Sequence, residues 1–184
     1  MSRIYTFLSI MLLVSCTQPE TKFPVYAWMG GQGDASDKQI RANFKELADR
    51  GITGLMYNGG HAQETYRRVG RIAKKAGLEF HAWIPTMVQG ENPELPAELH
   101  AVNGLGESAY DKPAYVDYYT FLCPSREEVS HFLASLYGSI ADLPEVDGIH
   151  LDYIRYPDVI LAEGLWDKYG LVMDREYPQF DYCY

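Results

Sequence analysis

Short apolar runs alternate with amphipathic stretches along most of the chain after residue 23. Four of these runs have the length and the flanking turn residues of buried strands, and they cover residues 25–29, 52–57, 78–84 and 146–151. Apolar residues at helical spacing fill the intervals, and a further short helix is predicted at residues 163–169. The predicted order is β-α-β-α-β-loop-α-β. This order favours an α/β fold with a parallel sheet and right-handed crossovers.

Capping signals indicate where the helices begin. Ser36 followed by Gln39 forms a capping box for the first helix, and Ser125 with Glu128 forms another for the third. The second helix is predicted over about residues 63–77. The residues predicted to face inward are Ile40, Phe44, Leu47, Val69, Ile72, Ala73, Ala76, Val129, Phe132, Leu133, Leu136 and Ile140.

A long polar loop interrupts the alternation between residues 86 and 124. It contains several prolines and glycines and a cluster of tyrosines: Tyr110, Tyr115, Tyr118 and Tyr119. A loop of this length inside a compact domain is usually functional or forms a small structure of its own. We therefore expect the tyrosines either to pack the loop on itself or to contact a substrate.

Two architectures are compatible with four parallel strands. One is a small open α/β sheet, and the other is about half of a (β/α)8 barrel of the TIM type, which needs eight strands and about 250 residues. Residues 178–184 contain three aromatic side chains, whereas natural C-termini are usually frayed and polar. This favours the second architecture, in which residues 23–184 are the N-terminal part of a barrel domain and the chain is an incomplete fragment.

The first residues have the pattern of an export signal. Arg3 precedes an apolar stretch at residues 4–14 that is too short to span a bilayer, and Ser15-Cys16 follows it. The run resembles the bacterial lipobox, in which the cysteine is lipidated. This resemblance implies a lipoprotein signal peptide at residues 1–15, lipidation of Cys16 and a short tether at residues 16–22. We then expect an exported cell-envelope lipoprotein attached to a membrane through Cys16.

Two further cysteines, Cys123 and Cys183, lie far apart in the sequence. An oxidising compartment would allow a disulfide between them, but one buried thiol and one thiol near the chain end is an equally good interpretation.

Charge and composition exclude some function classes. The formal net charge is −9 at pH 7 and there is no basic patch, which argues against a nucleic-acid partner. The 15 tyrosines would suit stacking against sugar rings, although they suit packing in a core equally well.

The residues able to do chemistry lie at the ends of the predicted strands, where ligands bind in parallel α/β folds. Asp152 ends the fourth strand, and His150 shares its face because side chains alternate with a period of two. Arg155 is expected to hold the Asp152 carboxylate ionised. Such a carboxylate can serve a glycosidase as nucleophile or as stabiliser of the transition state. Alternatively, Asp152 and Arg155 form an ion pair that only organises the loop.

Other strand ends supply candidate sugar-binding residues, each of which could equally be structural: Trp28, Tyr57, Asn58, His81, Trp83, His150, Tyr153 and Arg155. His81 and His150 lack a supporting third ligand at metal-site spacing, so we expect neither a metal nor a cofactor. The chain also lacks a P-loop, a Rossmann fingerprint and a serine-esterase elbow.

Residues 146–157, VDGIHLDYIRYP, resemble the glycosyl-hydrolase-like family with a family-ten-type barrel, whose members are frequently lipoproteins. Ala27-Trp28, Tyr57-Asn58-Gly59-Gly60 and His81-Ala82-Trp83 support this resemblance. It covers roughly residues 23–184 and implies a TIM barrel that acts on glycosidic bonds, or descends from enzymes that do.

Asp152 also matches the nucleophile of the alpha-amylase pattern on strand four. Asp147 and Asp152 match part of the chitinase pattern, but His150 and Ile154 replace its other two acids. This departure argues against a substrate-assisted mechanism. A glycosidase needs a second carboxyl group, and Glu64, Glu91 and Asp111 lie in loops without a recognisable motif, so a later strand is its expected source.

The sequence thus predicts a glycoside hydrolase that cleaves O-glycosidic bonds of a poly- or oligosaccharide, with Asp152 as the reacting carboxylate. The alternative is a non-catalytic carbohydrate-binding surface lipoprotein on the same scaffold. A third possibility is a purely structural envelope lipoprotein.

Overall fold

A computed structural model describes residues 23–31, 34–90, 92, 95–157, 161–172 and 182. The predicted signal peptide, tether and lipidation site at Cys16 lie outside these residues, as does Cys183. Cys123 is a free, partly buried thiol. In the described part of the chain, every helix is too short or too polar to cross a membrane.

The described elements follow the predicted β/α alternation. In chain order they are β1 (Tyr26–Gly30), α1 (Asp37–Asp49), β2 (Gly54–Asn58), α2 (Gln63–Lys75), β3 (Glu79–Pro85), α3 (Glu127–Ala141), β4 (Gly148–Asp152) and α4 (Trp166–Tyr169). One-turn 3-10 helices occur at Ala97–Leu99 and Glu163–Leu165. Each strand begins one or two residues later than its apolar run suggested.

The four strands form one parallel sheet in the order β1-β2-β3-β4. Trp28 pairs with Met56, which pairs with His81, and Trp83 pairs with His150 on β4. This arrangement confirms the predicted α/β class and parallel sheet.

The hydrophobic core lies between one face of this sheet and helices α1, α2 and α3. The sheet residues in this core, or packed against it, are alternate positions along each strand: Ala27, Met29, Leu55, Tyr57, Phe80, Ala82, Ile84 and Ile149. They meet apolar residues at helical spacing: Ile40, Phe44, Tyr66, Val69, Ile72, Ala73, Leu136 and Ile140. All three helices therefore cover the same face of the sheet.

One of the two predicted capping boxes is present at the start of its helix. The capping box at Ser36 and Gln39 is present, with both reciprocal hydrogen bonds, and α1 begins directly after it. The predicted box at Ser125 and Glu128 is wrong. Arg126 occupies the N-cap of α3, and no side chain caps the first turn.

Tyr66 fixes the turn between β2 and α2. Its hydroxyl accepts a hydrogen bond from Gly59 N at 3.1 Å and donates one to Gly60 O at 3.0 Å. Burial raises the pKa of Tyr66 to about 12, which keeps this hydroxyl protonated and able to donate.

The predicted long loop between β3 and α3, here called the β3–α3 segment (residues 86–126), forms a small structure of its own. Isolated antiparallel bridges join Val88 to Phe121 and His100 to Leu122. One of its apolar clusters comprises Ala101, Ala109, Ala114, Tyr119, Phe121 and, from the end of the chain, Tyr182. Among the predicted tyrosine cluster, Tyr119 is buried, whereas Tyr110 and Tyr118 are about half exposed.

Candidate functional site

The face of the sheet opposite the three helices, here called the open face, carries large polar and aromatic side chains. By strand alternation its residues are Tyr26, Trp28, Met56, Asn58, Glu79, His81, Trp83, His150 and Asp152. Its carboxyl edge brings together several residues that the sequence singled out. The Trp28 ring centroid lies 4.9 Å from that of Trp83 and 5.0 Å from that of His150.

The contact between Trp28 and His150 indicates that the open face is concave. These residues lie on the two outer strands, β1 and β4. In a flat sheet, three strand spacings would separate their backbones by about 14 Å. The two side chains cover part of this distance, and curvature of the sheet toward this face accounts for the rest of the approach to 5.0 Å between the rings.

Asp152 lies at the carboxyl end of β4, as predicted, and both of its carboxylate oxygens accept hydrogen bonds. The Trp83 indole Nε1 donates to Oδ2 at 2.9 Å, and the Tyr153 amide donates to Oδ1 at 2.8 Å. The main-chain oxygen of Asp152 accepts a further bond from Thr86 N at 2.7 Å. The carboxylate is thus held between β3 and the turn that follows β4.

The Arg155 guanidinium packs against two aromatic rings, one in the turn after β4 and one in the β3–α3 segment. Its guanidinium carbon lies 5.2 Å from the ring centroid of Tyr153 and 5.6 Å from that of Phe121. Its Nη1 also donates to Tyr156 O at 3.0 Å. The Arg155 guanidinium therefore links the turn after β4 to the β3–α3 segment through cation–π contacts. The hydrogen bonds described for the Asp152 carboxylate come from Trp83 and the Tyr153 amide.

Of the two candidates at the end of β2, only Asn58 lies on the open face. Its Oδ1 accepts a hydrogen bond from Gly60 N at 3.0 Å. Tyr57 is 1% exposed and packs under the helices against Tyr66 and Phe80. The expectation that Tyr57 binds substrate is corrected, because β2 runs through residue 58 and alternation turns Tyr57 into the core.

His81 belongs to a cluster at the amino end of the open face. Its Nε2 lies 3.3 Å from Glu79 Oε2, and the Tyr26 hydroxyl donates to the same oxygen. The hydrogen bond from Tyr26, and then that from His81, lowers the pKa of Glu79. The His81 ring lies over Gly148, where an added Cβ would be 2.8 Å from Nδ1.

Glu79 is not placed to be the partner carboxyl of Asp152. In the β3–β4 register Asp152 pairs with Pro85, six residues along β3 from Glu79. At about 3.3 Å per residue the separation is roughly 20 Å, well beyond the 5 to 9.5 Å, approximately, that glycosidase carboxyl pairs need.

Asp147 precedes β4 and has a structural role. Its carboxylate accepts hydrogen bonds from Lys74 Nζ and, at 2.8 Å, from Phe80 N. Burial acts to raise the pKa of Asp147, but these hydrogen bonds outweigh it and hold the pKa below its ordinary value. The residue is five positions, or roughly 16 Å, from Asp152, so the partial chitinase pattern does not bring its two acids together.

The other acidic candidates also leave the second carboxyl unassigned. Glu64 lies in the first turn of α2, 3.7 Å from the Arg71 guanidinium, and Asp111 lies in the β3–α3 segment. Glu91 lies outside the described residues. Within the described ranges, His, Cys, Asp and Glu side chains form no group of three that could hold a metal ion.

A second polar contact near this edge could not be predicted from the sequence. His61 Nε2 and Gln89 Oε1 lie 2.6 Å apart and join the turn after β2 to the β3–α3 segment. Gln89 Nε2 also donates to Thr86 O at 2.7 Å and so restrains the end of β3. These residues are 28 positions apart, and neither forms part of a recognisable pattern.

The chain was also compared with known proteins. No protein-family model matches it, and no curated protein matches it either.

Proposed function

We propose that the four-stranded sheet is the first half of a (β/α)8 barrel, with the open face lining its interior. Three observations support this proposal: sequential strand order, helices on one face only, and concave curvature of the other face. Doubly wound sheets instead reverse their strand order and place helices on both faces. Strands five to eight would come from a longer chain than residues 23–184.

On this scaffold, the proposed activity is hydrolysis of O-glycosidic bonds in a poly- or oligosaccharide. The observation that carries it is a carboxylate held by two hydrogen bonds beside two tryptophans, at the carboxyl edge of parallel strands. Trp28 is 57% exposed and offers a flat apolar surface for a sugar ring. Barrel enzymes place their reacting groups at this edge.

Asp152 would act as the nucleophile or as the stabiliser of positive charge on the sugar. Both oxygens already accept hydrogen bonds, which suits an ionised carboxylate that acts as an acceptor. The proton for the leaving group would then come from a second carboxyl on a later strand. His150, which is in contact with Trp28, would bind sugar hydroxyls.

A non-catalytic carbohydrate-binding protein is the second candidate. The observation that favours it is the Trp28–Trp83 pair, which would bind sugar whether or not Asp152 reacts. Both candidates place the ligand on the same surface, and they differ in what Asp152 does.

Replacement of Asp152 in the full-length protein separates the two candidates. Asp152→Asn should lower the hydrolysis of a responsive oligosaccharide by roughly 10³-fold or more, because an amide cannot replace the reacting carboxylate. Asp147→Asn is the matched control, since it removes a carboxylate from the residue that directly precedes the other end of the same strand.

The assay is release of reducing ends from a panel of soluble oligosaccharides that differ in sugar and linkage, with melting temperatures measured for each variant. Loss of activity in Asp152→Asn but not in Asp147→Asn supports the hydrolase. Sugar binding without hydrolysis by the wild type supports the binding protein. Equal activity of Asp152→Asn and the wild type would contradict the assignment of Asp152.

The proposal extends to attachment at the cell envelope through lipidated Cys16. It rests on the order of charge, apolar stretch and cysteine in residues 1–16. Metabolic labelling with an alkyne fatty acid should mark the wild type and leave Cys16→Ser unmarked and released from membranes. Equal labelling of both would contradict it.

A further inference from the structure

The turn after β4 contains a residue in an unusual backbone conformation. Tyr153 has φ +49°, and Tyr115, with φ +63°, is the other non-glycine residue with positive φ among those described. This left-handed region is unfavourable for a residue with a bulky side chain. Such strain persists only where the surroundings impose it, and it is concentrated at functional sites.

The β3–α3 segment packs against Tyr153. The Tyr153 ring makes edge contacts with Tyr119 at 6.2 Å and with Phe121 at 6.1 Å between centroids, and both partners are buried. Arg155 covers the same ring at 5.2 Å. Met87 N, also from the segment, donates to Tyr153 O at 3.3 Å. The β3–α3 segment thus contacts both the ring and the main chain of Tyr153.

The position of this turn matters because the Tyr153 amide is one of the two donors to Asp152. Trp83, on β3, holds one carboxylate oxygen, and the Tyr153 amide holds the other at 2.8 Å. Loss of the Tyr153 ring would let the backbone leave the left-handed region and turn the amide away. The carboxylate would then keep only the Trp83 bond and could rotate about its side-chain bonds.

We infer that Tyr153 is a positioning residue, which fixes the carboxylate of Asp152 through its own strained backbone and through its packing against the β3–α3 segment. The inference rests on the proposed function. It differs from the sequence-based expectation that Tyr153 binds substrate directly.

Three substitutions at Tyr153 test this inference. Tyr153→Phe keeps the ring contacts, and Tyr153→Ala removes them. Tyr153→Gly also removes them but tolerates the left-handed conformation. Tyr110→Ala is the matched control, since Tyr110 is a half-exposed tyrosine of the same segment.

The first measurement is the NMR cross-peak of the Trp83 indole N–H, which reports the bond to Asp152 without need of a substrate. Tyr153→Ala and Tyr153→Gly should move this peak, while Tyr153→Phe and Tyr110→Ala should leave it in place. On a responsive oligosaccharide, kcat should fall by about 10- to 100-fold in Tyr153→Ala and Tyr153→Gly, with KM within about threefold of the wild type.

Two outcomes would overturn the inference. The first is an unmoved Trp83 peak in both Tyr153→Ala and Tyr153→Gly. The second is a raised KM in Tyr153→Phe with the Trp83 peak unmoved, which would give the hydroxyl, a hydrogen-bond partner of Tyr118, a role in substrate binding. If Tyr153→Ala and Tyr153→Gly do not fold, Phe121→Leu can replace them, because it loosens the packing against the Tyr153 ring. Phe121→Leu should also move the Trp83 peak. An unmoved Trp83 peak in Phe121→Leu would overturn the inference. If the protein hydrolyses none of the oligosaccharides, the proposed hydrolase function is contradicted. The Trp83 peak needs no substrate, so it still tests whether Tyr153 positions Asp152.

Discussion

The packing of α2 against the sheet can be tested at Gly70, in the buried middle of that helix. A Cβ added there would lie 2.8 Å from Glu145 Cβ and 2.9 Å from Phe80 Cδ1, and Cβ atoms do not approach other heavy atoms this closely. Gly70→Ala should therefore strain the contact of α2 with β3 and with the turn before β4. Gly138, exposed within α3, has no heavy atom within 4 Å of an added Cβ and supplies the matched control.

Two opposing contributions set the size of the effect. An alanine in a helix interior is more favourable than glycine by about 1 kcal/mol, and this gain applies to both positions. Overpacking a close contact costs about 1–3 kcal/mol, and this applies to Gly70 alone. Gly138→Ala should thus stabilise the protein by about 1 kcal/mol. Gly70→Ala should lie about 1–3 kcal/mol below it.

Urea unfolding followed by circular dichroism measures both free energies. For a chain of this size, the expected difference corresponds to roughly 2–4 °C in melting temperature per kcal/mol. Equal stabilisation by the two substitutions would refute the reasoning, because it would mean that α2 does not lie this close to Phe80 and Glu145.

Two further predictions concern buried polar groups. Burial lowers the pKa of His100 in the folded protein. When the pH falls below about 6.5, the ordinary pKa of histidine, the imidazole is therefore protonated more readily in the unfolded chain than in the folded protein. The melting temperature, measured between pH 7.5 and pH 5, should therefore fall as the pH decreases below about 6.5. This fall should be weaker in His100→Asn and unchanged in the control His131→Asn, which replaces an exposed histidine. Equal falls in the two variants would contradict the prediction. Tyr66→Phe should lower the free energy of unfolding by about 1–2 kcal/mol, because two hydrogen bonds to the turn after β2 are lost. A loss below about 0.3 kcal/mol in urea unfolding would contradict the described role of this hydroxyl.

The parts of the fold that depend on local patterns could be predicted from the sequence. Alternating apolar runs were enough to predict the order of the elements along the chain, the parallel sheet and the α/β class. The box at Ser36 worked because serine is the N-cap itself. At α3 the same pattern was misleading, since the helix begins one residue later, after a turn in which Arg126 N donates to Cys123 O.

The candidate site was predictable only where strand alternation decided the side-chain direction. A period of two correctly placed Trp83 with His81, and His150 with Asp152, on one face. The face of Tyr57 depended on where β2 ends, and strand ends are the least certain part of such predictions. The position of Arg155 depends on Phe121, 34 residues away, through a contact that no local pattern encodes.

We propose that sugar binds to the open face at Trp28 and Trp83. Titration of the full-length protein with the oligosaccharide that it hydrolyses or binds can be followed at the indole N–H cross-peaks of Trp28, Trp83 and Trp166. Trp166 is an internal control, because it lies in α4 and its Nε1 donates to Leu161 O. We predict that the peaks of Trp28 and Trp83 shift with a common saturation curve while that of Trp166 stays in place. Shifts confined to Trp166, or saturable binding that moves none of the three peaks, would contradict the assignment of the site.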